Sequence, residues 1–182
     1  NVGIMAATNE VIAEKEVPML IAVYIAIIAL VILAYRDWRA TICCCAPLIL
    51  ATFIGYWFMS WQEIGLKVST LPVLVLAVGI GVDYAFYIYS RMQGYLETGM
   101  DIANAYAQAM QETGMAVMFT GATLCIGVST WAFSALKFQA DMGMLLSFMF
   151  LINMIGAVTA LPALAVTLER WFPRRRKAAA GV

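Results

Sequence analysis

The chain reads as an all-α polytopic membrane protein, with five transmembrane helices plus a cytoplasmic interfacial amphipathic helix. The first supporting observation is composition: 64% of the 182 residues are hydrophobic and 12% charged, with a mean hydropathy of +0.87, whereas soluble domains run at about 45–50% and about 25%. The second is run length. Five continuous apolar stretches, at about 18–35, 42–59, 71–89, 115–133 and 142–168, are long enough to cross a hydrocarbon core of about 30 Å as helices. The third is texture: none of the runs alternates with period two as a barrel strand would, and a helix satisfies its own backbone in lipid.

Taken in order, residues 1–17 are neither a signal peptide nor a span. Glu10, Glu14, Lys15 and Glu16 are interleaved with Ile4, Met5, Val11 and Ile12 at helical spacing, which predicts the end of a periplasmic region and an amphipathic lead-in to the first span. Because the chain starts at Asn1, it is expected to be a piece of a longer polypeptide. Arg36-Asp37-Trp38-Arg39 forms the first inner loop. Trp57, Trp61 and Trp131 lie near span ends, where an aromatic belt anchors helices. Residues 91–114 are too many for a tight turn and too polar for a span. Within them 101–113 predicts the interfacial helix, with Ile102, Ala103, Tyr106, Ala107 and Met110 on one face and Asp101, Asn104, Gln108, Gln111 and Glu112 on the other. Gly99 and Gly114 bracket it as breakers. Residues 171–182 form a basic tail.

Positive charges set the expected orientation. A cytoplasmic C-terminus puts Arg36, Arg39, Arg91, Arg170, Arg174, Arg175, Arg176 and Lys177 inside and leaves Lys15, Lys67 and Lys137 outside. The fragment's N-terminal end is then periplasmic. The four cysteines make no disulfide framework: Cys43, Cys44 and Cys45 are consecutive, Cys125 is mid-span, and the chain contains no His. Small packing residues are the better reading, no metal site is expected, and no cofactor is implied.

Asp83 is the only ionisable side chain deep inside an apolar run. A carboxylate at bilayer depth costs roughly 2.5–3.5 kcal/mol on insertion scales, so it marks a candidate functional site. Gly79 shares its helix face, and the missing side chains of Gly79 and Gly81 are expected to let a neighbouring helix approach the carboxylate. Tyr84 and Tyr87 follow within a turn, Thr120, Thr123, Gly127 and Thr130 fall on one face of the fourth span, and Asn153 adds an amide in the fifth. No Lys or Arg lies deep in any span. Asp83 is thus expected to be neutral when sealed from water and to ionise when water reaches it, as a proton carrier must. An Asp serving only as interhelical glue would be a costly choice where Asn or Ser suffices.

Gly79-Ile80-Gly81-Val82-Asp83-Tyr84-Ala85, followed by Tyr89-Ser90-Arg91, resembles the GxGxDY signature of the resistance-nodulation-division superfamily, in particular its MMPL-like exporters. Ala105, Thr113-Gly114, Thr120, Gly127 and Leu161-Pro162-Ala163-Leu164 fall where that family has small residues, a TG pair and a PAL ending. The resemblance covers about residues 18–170 and is similar to spans eight to twelve of the second half. It implies a secondary active transporter, not an enzyme, in a bacterial inner membrane: proton-motive-force-driven export of hydrophobic or lipid-like substrates, with Asp83 as relay acid and Tyr84 as its partner. The partners it implies are the rest of the polypeptide, namely the first half and the periplasmic domains, together with membrane lipids, the substrate and accessory periplasmic proteins; no nucleic acid is expected.

Two other classes compete. A sterol- or lipid-sensing five-helix bundle would change conformation with lipid and carry no proton flux. An intramembrane aspartyl protease of the GxGD kind would need a second intramembrane Asp, and Gly79-Ile80-Gly81-Val82-Asp83 has one residue too many for that motif.

Overall fold

The computed structural model describes residues 2–63 and 70–172; Lys67 and the tail cluster Arg174 to Lys177, on which part of the orientation argument rests, lie outside them, as do the side chains of Ile4, Met5, Glu10 and Ile12. Among the described residues every regular element is helical: α1 (Val2–Tyr35), α2 (Trp38–Trp61), α3 (Leu71–Glu97), α4 (Ile102–Ala109), a π turn (Met110–Gly114), α5 (Met115–Ser129), a 3-10 turn (Thr130–Phe133) and α6 (Lys137–Trp171). Five stretches are long and apolar enough to span a membrane: Glu14–Tyr35, Trp38–Trp61, Pro72–Glu97, Ile102–Phe133 and Lys137–Trp171. The protein is a multi-span all-α membrane protein.

Local chemistry sets the helix ends. Asp37 sits in extended backbone and accepts the Arg39 amide at 3.0 Å, satisfying one of the orphan donors at the start of α2. Pro72 occupies the first turn of α3, where the missing N–H costs nothing. Gly99, at φ +87, closes α3 in the left-handed conformation a side chain resists. Gly114 behaves differently from the expected breaker. Its φ of −61 is helical, and the chain passes from α4 into α5 through the π turn without leaving the helix.

α4 also packs on a different face from the predicted one. Ala105 and Ala109 are buried and Ile102 and Tyr106 half-buried, while Ala103 and Ala107 are exposed. The cause is tertiary: α4 lies against α3 and α6, small alanines permit the close approach, and the Tyr106 hydroxyl donates to the Val158 carbonyl at 2.7 Å.

α2 and α6 form the centre of the bundle. α6 packs along α2, α3 and α5, and α2 also meets α1 and α3. Surrounded in this way, α2 buries Cys43, Cys44 and Cys45 together although they point in three directions. All four cysteines are free thiols. Arg39 pairs with Glu169 at 3.2 Å and donates to the Phe172 carbonyl, fastening the start of α2 to the end of α6. α1 is peripheral, and tyrosine hydroxyls hold it: Tyr56 donates to Glu16 at 2.8 Å, Tyr24 bonds Thr52 at 2.6 Å, and Tyr35 donates to the Phe86 carbonyl at 3.1 Å. Such bonds matter in lipid, where apolar burial gives helices little drive to associate. Trp57 and Trp61 stack on each other at 6.2 Å and stay exposed at the end of α2, as interface anchors do.

Candidate functional site

α3 and α5 both lie along α6 but scarcely touch one another. They therefore diverge into a cleft of about 550 Å³, walled by Ile80, Asp83, Tyr84 and Tyr87 from α3, by Thr113 of the π turn, and by Ala116, Val117, Thr120 and Leu124 from α5. At one end of the cleft, α4 and the π turn pack directly on α3. The Asp83 carboxylate stands exposed in this cleft. Among the described residues it has no hydrogen bond or ion pair, and the two described ion pairs both lie elsewhere.

The predicted residues divide between two sides of α3. Asp83, Tyr84, Tyr87 and Thr120 meet in the cleft. Gly79 opens on the same side, and a methyl group added there would meet nothing within 4 Å. Gly81 faces the other way: a methyl there would lie 2.6 Å from Asn153 Cγ and 2.8 Å from Leu48 Cδ2. The close approach expected of these glycines thus occurs at Gly81 alone, and it brings α6 to the back of α3, away from the carboxylate. Asn153 is buried there and donates from Nδ2 to the Ala77 carbonyl at 2.9 Å. Thr123 and Thr130 do not reach the cleft. They are exposed and return their hydroxyls to Phe119 O and Gly127 O, both at 2.7 Å, because the cleft-facing rank of α5 runs Thr113, Ala116, Val117, Thr120, Leu124 and the threonine stripe drifts off it.

Tyr84 is only 3% exposed, and its hydroxyl is enclosed without a hydrogen-bond partner. An unsatisfied buried hydroxyl is costly, and one beside an unpaired carboxylate offers a donor that a neighbouring group or a water can use. Ala116, Val117 and Leu124 line the cleft without having been singled out, and Thr113, noted only as half of a TG pair, lines it too; the i, i+3, i+7, i+11 spacing from Thr113 through Ala116 and Thr120 to Leu124 was the available signal. Two further acids were missed because they sit at span ends: Glu16, 3% exposed and bonded to Tyr56, and Asp141, also buried. Neither lines the cleft. No cluster of three or more metal-ligating side chains occurs among the described residues.

Comparison with known proteins bears on the whole bundle. A membrane protein of Methanocaldococcus jannaschii is 30% identical over 146 residues, covering 80% of this chain and 38% of that protein. The sulfolipid-1 exporter MmpL8 of Mycobacterium tuberculosis is 31% identical over 117 residues, 62% of this chain and 11% of the exporter. MmpL12 of the same organism, named as a transport protein, is 24% identical over 172 residues, 91% of this chain and 15% of its own length. The chain thus spans well under half the length of these relatives. The profile of the MMPL family matches residues 2–181, almost end to end, and the chain belongs to the MMPL family.

Proposed function

We propose that this bundle is the proton-coupling membrane part of an exporter of hydrophobic, lipid-like molecules, in which Asp83 takes up and releases the proton and Tyr84 assists the transfer. The supporting observation is the unpaired carboxylate open to a cleft inside an apolar bundle, an arrangement that structural glue would not need. The family and the naming of one relative as a sulfolipid-1 exporter favour a lipid-like cargo. The rest of the polypeptide covers the open mouth of the cleft between α3 and α5, and the α4 end faces the cytoplasm of a bacterial inner membrane, in line with the clustered arginines at Arg36, Arg39, Arg91 and Arg170.

A proton crossing 100 mV releases about 2.3 kcal/mol, so one or two can bias a rocking transition of a few kcal/mol. Protonated, Asp83 loses its need for polar surroundings and lets α3 close on a partner; ionised, it requires water or a donor and reopens the cleft. The full-length protein in proteoliposomes, with and without Asp83→Asn under an imposed pH gradient, tests this. Loss of gradient-driven efflux at an unchanged melting temperature is expected. Wild-type rates in the neutral variant would reduce Asp83 to a structural residue.

A further inference from the structure

The turn between α4 and α5 does more than connect them. A π turn places one more residue in the helix than α geometry allows, and such bulges recur at functional sites. One extra residue re-phases everything after it by about 100° at 3.6 residues per turn. Upstream, α4 is fixed by buried Ala105 and Ala109 and by the Tyr106 bond to Val158 O at 2.7 Å. Downstream, α5 is tied to α6 by Ser147 Oγ donating to Cys125 O at 3.2 Å. The π turn decides which residues of α5 look into the cleft between those anchors, and in this phase they are Ala116, Val117, Thr120 and Leu124.

The turn is held from both directions. Within it, the Thr113 hydroxyl donates to the Ala109 carbonyl at 2.7 Å. Across it, Glu112 accepts a short hydrogen bond from the Tyr95 hydroxyl and lies 3.9 Å from Arg91 Nε. Arg91 and Tyr95 both belong to α3, about two and three turns beyond Asp83 respectively. Glu112 is thus the side chain through which the Asp83 helix grips the turn that orients the opposite wall.

We propose that Glu112 is a positioning residue for the cleft: clamped by Tyr95 and Arg91, it holds the π turn and so fixes the rotation with which α5 faces Asp83. The inference rests on the reading of the cleft as the working site. It predicts that loosening the clamp turns Thr120 and Leu124 away while the bundle stays folded.

The test uses the full-length protein with Cys125→Ser and the pair Ile80→Cys and Leu124→Cys, which stand on opposite walls, bridged by a short bifunctional thiol reagent. Glu112→Ala is expected to slow bridging about fivefold, the factor that a modest polar contact commands. Tyr95→Phe should slow it less, and Glu112→Gln, which still accepts the Tyr95 hydroxyl, should largely restore it. Unchanged bridging in Glu112→Ala at an unchanged melting temperature overturns the proposal. Should that variant fail to insert, Tyr95→Phe, which removes one oxygen, decides in the same way. Bridging reports geometry without transport, so wild-type efflux by Asp83→Asn would end the proton reading and leave this result standing.

Discussion

On the side away from the cleft, α3 is closely packed: Gly81 admits Asn153 and Leu48 at contact distance, and Asn153 Nδ2 donates to the Ala77 carbonyl at 2.9 Å, while Asn153 Oδ1 is buried without a partner among the described residues. On the cleft side the same helix leaves Gly79 bare, Asp83 unpaired among the described residues and the Tyr84 hydroxyl without a partner. The two sides are separated by only a fraction of a helical turn and use the same residue types. What differs is whether a neighbour fills the space a glycine leaves. A glycine under a neighbour serves packing, whereas a glycine facing a void leaves room for something that is not this bundle.

Substitutions can break that contrast in a graded series. Asp83→Asn should have the largest effect, reducing gradient-driven efflux by a factor on the order of 10² with the melting temperature in detergent unchanged. Gly81→Val should do the reverse and unfold before it uncouples, since its added carbons meet Asn153 at 2.6 Å; overpacking of this kind costs about 1–3 kcal/mol, read as a lowered melting temperature. Asn153→Ala removes the bond to Ala77 O and should cost about 0.5–1.5 kcal/mol, the net worth of one hydrogen bond, since the carbonyl keeps its partner within α3. Gly79→Ala, with nothing within 4 Å, should stabilise the helix by about 0.5–1 kcal/mol; a melting temperature that falls instead would mean the cleft side is packed. Smallest of all, Tyr84→Phe should leave stability within about 0.5 kcal/mol, because the hydroxyl it removes bonds nothing, while efflux falls.

The five spans were legible in the sequence because lipid makes a simple demand: enough apolar residues in helical form. Asp83, Tyr84, Tyr87 and Thr120 stood out as candidates for the complementary reason, since polarity at that depth is conspicuous, and the structure brings the four to one cleft. The side on which each glycine acts was not legible. Gly79 and Gly81 look alike in sequence, and only the position of α6 separates them. Thr123 and Thr130 matched helical spacing yet lie off the cleft, because periodicity predicts which residues share a face and says nothing of what that face meets. The π turn escaped for a similar reason. Gly114 reads as a breaker, yet its φ of −61 is helical and the Met110 side chain packs against it, so the turn keeps the chain in one helix.

The pairing of α2 with α6 has a consequence for how the protein is made. Arg39 and Glu169, which fasten the two, are 130 residues apart in the chain, and α3 and α5 meet chiefly by way of α6. α1, whose spanning stretch Glu14–Tyr35 reaches a mean hydropathy of 2.9 and is mostly unburied in the bundle, can enter the bilayer and rest there alone. The central helices cannot settle in this way. During synthesis α2, α3 and α5 reach the membrane before their common partner exists, and long-range pairing of this kind is slow to form. A ribosome stalled before Lys137 would therefore leave α5 without the helix it packs on, and the cleft around Asp83 takes shape only when α6 arrives.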